Sequence, residues 1–129
     1  KRLGSTHAWI VHGSDGLDEV TITGKTYCAE LKNGLIREFS INPSDIDIPS
    51  AKLTDIIGGE PEENAKEINE LFNGKKSTFR NVVILNSASA LVATGHANSL
   101  EEGAGKSIIS LDSGEALRKL EELIKITNS

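Results

Sequence analysis

The sequence has no methionine, one cysteine, three prolines and few aromatic side chains, 4% of its 129 residues. Each shortage excludes something. A single cysteine, Cys28, cannot close an internal disulfide, so stability must come from a packed core, which fits a reducing, cytoplasmic setting. Cys28 lies in an alternating segment with no base beside it and is expected to be a small core side chain, not a nucleophile. No apolar run approaches the ~20 residues of a membrane span, and no signal-peptide pattern opens the chain. Basic residues are outnumbered, 14 Lys and Arg against 19 Asp and Glu, for a formal net charge of -5. They form no stripe that could neutralise phosphates, which argues against nucleic acid as a partner. There is no Ser-His-Asp arrangement, no cysteine pair and no Gly-rich loop of the kind that cradles a pyrophosphate. His7, His12 and His96 share no metal-ligand spacing, and His12 is expected as a packed, neutral imidazole. A chain without methionine that opens Lys1-Arg2 is expected to be a segment of a longer protein, beginning just upstream of a core strand.

What is present is ordinary for a single globular domain segment: 37% hydrophobic and 26% charged residues, with no repeat or low-complexity tract. The most informative stretch is Val11-His12-Gly13-Ser14-Asp15-Gly16-Leu17-Asp18-Glu19. An apolar run over residues 7–12 leads into it and reads as a strand buried on both faces. A Gly-rich turn then delivers three carboxylates within five positions. In α/β sheets, ligands sit at the carboxyl ends of strands. Two adjacent carboxylates there suit Mg²⁺, which binds through one or two carboxylates, keeps waters and bridges to substrate phosphates. The competing reading is a solvated turn in which Asp side chains cap backbone N–H groups. Both readings stand at this level.

Residues 20–23 and 26–31, around Gly24-Lys25, predict a hairpin. Asn33-Gly34 predicts a second tight turn before an alternating strand over residues 35–41. Residues 42–50, with Pro43 and Pro49, read as an irregular connection. Helices follow. Gly58-Gly59 is expected as a turn ahead of a helix starting at Pro61, because Glu60, Glu62 and Glu63 would repel an anion there. Ala65, Ile68, Leu71 and Phe72 fall on one face of that helix, which Gly74 closes. Residues 79–93 read as a buried helix ending at Gly95. Asn64 and Asn86 sit on apolar helical faces, where a buried amide must find partners; each is expected to tie down a neighbouring loop or helix end. Ser99 with Glu102, and Asp112 with Glu115, have the spacing of helix caps. The last helix is expected to bury Leu117, Leu120, Leu123 and Ile124.

Several of these motifs occur together and in order. The acidic loop, Gly58-Gly59 with Glu63-Asn64-Ala65, Leu85-Asn86-Ser87-Ala88, Ser99-Leu100-Glu101-Glu102-Gly103 and Asp112-Ser113-Gly114 resemble those of the anthranilate phosphoribosyltransferases over nearly the whole chain. The resemblance implies an α/β fold: residues 1–129 as the C-terminal part of the large α/β domain, with one buried strand, a small antiparallel meander, and helices after it. The family's N-terminal helical domain and pyrophosphate loop would lie outside these residues. It implies transfer of phosphoribose from phosphoribosyl pyrophosphate to anthranilate in tryptophan biosynthesis, by an enzyme that is a homodimer. It also implies Mg²⁺ as cofactor, held here by Asp18 and Glu19, and no activity for this segment alone. The alternatives are a segment of a related pyrimidine nucleoside phosphorylase or other-acceptor transferase, or a non-catalytic α/β fragment.

Overall fold

Asn33 and Gly34 both take the left-handed backbone conformation, with φ of 50° and 76°, and turn one strand back on the next. In the computed structural model, which describes residues 1–128, that turn joins β2 (Thr26–Lys32) to β3 (Leu35–Ile41). β1 (His7–Gly13) pairs antiparallel with the other side of β2, giving the order β1-β2-β3. The register sets Val11 opposite Cys28, and Cys28 opposite Phe39. Period-two alternation then puts Trp9, Val11, Cys28, Glu30, Phe39 and Ile41 on one face. That face packs on the helices, with Trp9, Val11 and Phe39 against the main hydrophobic cluster.

Two expectations for this region fail. β1 is not buried on both faces: Ile10 is 70% exposed, and no strand among the described residues pairs with its outer edge. A uniformly apolar run hides the alternation that would have revealed an open face. The hairpin of residues 20–23 with 26–31 does not form either. β2 takes β1 as its partner, and residues 14–25 become the connection between them. Val20, Thr21 and Ile22 are buried all the same, as an irregular segment plugged into the core. Their β-branched composition reflects that burial, not strand pairing. The segment's backbone groups go elsewhere: the Thr21 N–H donates to the Thr26 hydroxyl at 2.9 Å, and the Ile22 carbonyl accepts from the Ala51 N–H at 3.0 Å.

The buried acid Glu30 organises the inner face of the sheet. It is 3% exposed and accepts from Trp9 Nε1 at 2.9 Å and from Arg37 Nε, with His7 Nε2 at 3.3 Å. Burial alone would raise its pKa. The bonds from Trp9, Arg37 and His7 and the Arg37 charge outweigh it and bring the pKa down to about 2. Trp9 meets Phe39 edge to face at 5.1 Å, and the Arg37 guanidinium lies 5.0 Å above the Phe39 ring. Cys28, next in the same register, is buried and its pKa is pushed up to about 11 by burial and the nearby Glu30 charge. It is the inert core side chain expected.

The connection after β3 contains two single 3-10 turns, Pro43–Ile46 and Leu53–Asp55. Four helices follow: α1 (Pro61–Phe72), α2 (Thr78–Ala93), α3 (Leu100–Asp112) and α4 (Glu115–Thr127). Pro61 opens α1, and Ser77 and Ser99 cap α2 and α3 by accepting the Arg80 and Glu102 N–H groups. Asp112 does not cap α4. It ends α3 and holds Arg80 Nη2 at 2.7 Å, while Gly114, with φ 81°, takes the cap position. On α1, Leu71 is buried but Ala65 and Ile68 stay exposed. On α4, Leu117 and Leu120 are half-buried, whereas Leu123 and Ile124 remain 57% and 51% exposed. The apolar stripes of both helices run past the neighbours that cover them.

The α2–α3 crossing brings two helix backbones close together. Leu85 and Ala88 on α2 are fully buried, and Ala88 faces Gly103 of α3. A Cβ on Gly103 would lie 2.8 Å from the Ala88 carbonyl oxygen and 2.9 Å from its Cα. Both are backbone atoms that cannot swing aside. Gly103→Ala therefore costs about 1–2 kcal/mol net, overpacking exceeding the ~1 kcal/mol helix preference for Ala. A urea titration checks this; a stabilised variant would mean the helices slide apart freely.

Candidate metal centre

The acidic loop is built from its backbone outward. β1 ends at Gly13, whose N–H donates to the Leu17 carbonyl at 2.9 Å, closing a tight loop. Ser14 N–H donates to the Lys25 carbonyl at 2.8 Å and anchors the loop to the start of β2. Gly16, with φ 94°, makes the reversal. A side chain on Gly13 would run into Asp15 and sit 3.1 Å from the Thr21 methyl, so this position suits glycine alone.

The three carboxylates of the loop separate into two roles. Asp15 turns inward. It accepts from the Leu17 N–H at 3.1 Å and from the hydroxyls of Thr21 and Thr23. Burial by itself would raise its pKa; these three hydrogen bonds together hold it below the ordinary carboxylate range. Asp15 is thus the hub of the turn, as the capping interpretation of this residue required. The threonines at alternate positions, 21 and 23, were the signal for this role, and they read as strand instead.

Asp18 and Glu19 differ. Neither carboxylate takes part in a hydrogen bond or ion pair with any described residue. Asp18 is exposed and Glu19 half-buried. Burial, then the charges of Asp18 and Asp15, raise the pKa of Glu19. Negative charge is thus concentrated here without a protein cation to balance it. No group of three His, Cys, Asp or Glu side chains among the described residues could cage a metal. The donor set is two hard oxygen ligands, which fits a divalent ion that keeps most of its waters and shares phosphate oxygens with a substrate. It does not make a structural zinc site, which is closed by four protein ligands, mostly Cys and His.

Asn86 holds the far side of the loop. From the middle of α2, its Oδ1 accepts the Val20 N–H at 3.0 Å, and its Nδ2 donates to the Val20 carbonyl at 2.9 Å and the Val82 carbonyl at 3.1 Å. Asn64 does the same for the turn before α1, pairing with both backbone groups of Gly59 at 2.9 Å. Both amides are ties, as expected. The α1 amino end is already occupied, since Glu63 accepts the Glu60 N–H at 3.0 Å. Gly58-Gly59 forms the turn expected ahead of that helix. His12 is exposed at the β1 end and is not the packed imidazole expected. Its neighbour across the sheet is Tyr27, itself on the open face, so no core reaches it. Two surface hollows lie elsewhere, one beside α1 around Ile57, Gly59 and Lys66, the other between α2 and α3 around Leu91 and Ser107. Asp18 and Glu19 line neither.

Comparison with known proteins bears on what such a loop serves. Residues 1–117 match the family described as "Glycosyl transferase family, a/b domain". The chain belongs to that family. Among curated relatives, an anthranilate phosphoribosyltransferase of Parvibaculum lavamentivorans is 47% identical over 99% of the chain. The chain spans 38% of that relative's length. Anthranilate phosphoribosyltransferase from Thermus thermophilus superposes with a TM-score of 0.87 at 31% identity, covering 99% of this chain and 37% of that one. The Saccharomyces cerevisiae enzyme in complex with PRPP and Mg gives 0.82 at 30% identity, covering 92% of this chain and 34% of that one. The α/β class expected for the chain is therefore borne out, with three antiparallel strands ahead of the helices. None of the helices among the described residues is long and apolar enough to cross a membrane.

Proposed function

We propose that this family member is the C-terminal part of the large α/β domain of an anthranilate phosphoribosyltransferase, and that Asp18 and Glu19 hold its Mg²⁺. The enzyme would transfer phosphoribose from phosphoribosyl pyrophosphate to the amine of anthranilate, releasing pyrophosphate. The observation that carries the reading is the pair of carboxylates left unpartnered at the carboxyl end of β1, beside an Asp15 that is bonded inward. The likeness to a phosphoribosyltransferase solved with PRPP and Mg supports it. When bound, Mg²⁺ neutralises the charge that gathers on the departing pyrophosphate.

The residues of this chain contribute position and charge. Asp18 and Glu19 offer oxygens from one side of the site. Asp15 and its threonines keep the turn from relaxing toward its own carboxylates. The Glu30 cluster fixes β1 to β2, and so fixes where the loop emerges. Pyrophosphate and acceptor contacts belong to segments outside residues 1–129, so the isolated chain is expected to be inactive. The intact enzyme is taken to be a cytoplasmic homodimer.

The test is consumption of anthranilate, followed by its fluorescence, by the intact enzyme with phosphoribosyl pyrophosphate and Mg²⁺. Turnover is expected, and none from the purified 129-residue chain. Failure of the intact enzyme with anthranilate, together with phosphorolysis of a pyrimidine nucleoside, would instead place it with the phosphorylases.

A further inference from the structure

We propose that Asn86 is a positioning residue for the Asp18–Glu19 pair: it fixes the peptide that leaves Glu19, and so sets the direction in which both carboxylates point. The inference rests on the magnesium reading of that pair.

The geometry is specific. Asp18 and Glu19 lie between two anchored residues. On one side, Leu17 is held through both backbone groups, its N–H to Asp15 at 3.1 Å and its carbonyl from Gly13 at 2.9 Å. On the other, Val20 is held through both of its backbone groups by the single amide of Asn86, at 3.0 and 2.9 Å. The Val20 N–H belongs to the same peptide plane as the Glu19 carbonyl. Pinning it restricts the ψ angle of Glu19 and with it the range of directions the side chain can take. Asp15 is internal to the loop and sets its shape. Asn86 refers the loop to a rigid helix, and the Val82 bond locks the amide's own orientation. Val20 also plugs the core, so the backbone tie and the hydrophobic anchor coincide. An apolar residue at position 86 could still pack, but it could not orient a peptide plane.

Outer groups that orient metal ligands change metal affinity by about 10–100-fold when removed. The experiment compares wild-type, Asn86→Ala, Glu19→Gln and Leu111→Ala forms of the intact enzyme. Leu111, in the core of α3, serves as a control for lost stability alone. Two readouts are taken well below each melting temperature: the Mg²⁺ midpoint for activation, and Mn²⁺ affinity with pyrophosphate from the free-ion EPR signal. The expected result is a weakening of about 10-fold or more in both for Asn86→Ala, none for Leu111→Ala, and partial recovery in Asn86→Gln, which keeps the amide. Asn86→Gln and Asn86→Ser carry the test if the alanine form does not fold. If Glu19→Gln weakens Mn²⁺ binding while the Asn86 forms match wild type, Asn86 is a structural tie only and the inference is overturned. If Glu19→Gln also leaves binding unchanged, the metal reading falls and the inference falls with it.

Discussion

Exchanging Asp18 for Asn and Glu19 for Gln in the intact enzyme is expected to lower turnover about 10²–10³-fold, while the protein melts where it did before. The loss follows from removing the two anionic ligands that would hold a cation on the leaving group; single electrostatic contributors of this kind are worth about that much. The unchanged stability follows from the structure. Neither carboxylate has a partner to lose. The pKa of Glu19 is raised, by burial first and then by Asp18 and Asp15. A carboxyl group whose pKa rises on folding binds its proton more tightly in the folded state. Ionised Glu19 therefore opposes folding above the ordinary carboxylate range, and that opposition fades as the pH falls through it. Neutral amides relieve it, so stability should hold within about 0.5 kcal/mol or rise slightly. Activity measurements alongside thermal melts decide the matter. Full activity in the double variant would leave the acidic pair as a solvated turn.

Glu30→Ala should have a different signature, dominated by a large loss of stability. Three donors converge on this one acid, and two of them, His7 and Trp9, are themselves partly buried and would be left without an acceptor. The fall of its pKa from 4.5 to about 2 corresponds to about 3 kcal/mol. The sign is that of a depressed carboxylate. The stabilisation is fully present above about pH 4.5 and drains away as the pH drops toward 2. Urea unfolding at neutral pH and at about pH 3 tests both parts. The variant should lose about 1–3 kcal/mol or more at neutral pH, because buried donors are left without an acceptor, and the gap should narrow in acid. A variant as stable as wild type at neutral pH would mean that the desolvation cost of Glu30 cancels its bonds. Glu30→Gln, which keeps one acceptor oxygen, should recover part of the loss.

Glu30 also illustrates what could be read in advance. Its phase is visible in the sequence, because it shares the parity of Thr26 and Cys28. Its partners are not visible, since Trp9 and Arg37 join it only once the β1–β2 and β2–β3 registers exist. The same divide runs through the acidic loop. Adjacent carboxylates after an apolar run were legible as a candidate metal pair. That Asp15 would turn inward to Thr21 and Thr23, leaving the other two outside, depended on residues 20–23 forming an irregular segment with Thr21 buried. Asn86 was legible as a tie, because an amide on an apolar helical face must find partners; that it would grip the residue next to Glu19, 66 positions away in the chain, was not.

The sequence alone determined what is local. Asn33-Gly34 gave the turn its left-handed residues, Pro61 and Ser99 started helices where their chemistry allows, and Gly95 ended one. These outcomes depend on φ preferences and on side chains reaching a few positions along the chain. The tertiary structure decided what is non-local: that β2 chose β1 over residues 20–23, that β1 kept one open face, and that Asp112 went to Arg80 instead of capping α4. Each was a choice between two satisfactory local arrangements, and burial of Val20, Ile22 and Leu85 in one shared core broke the tie.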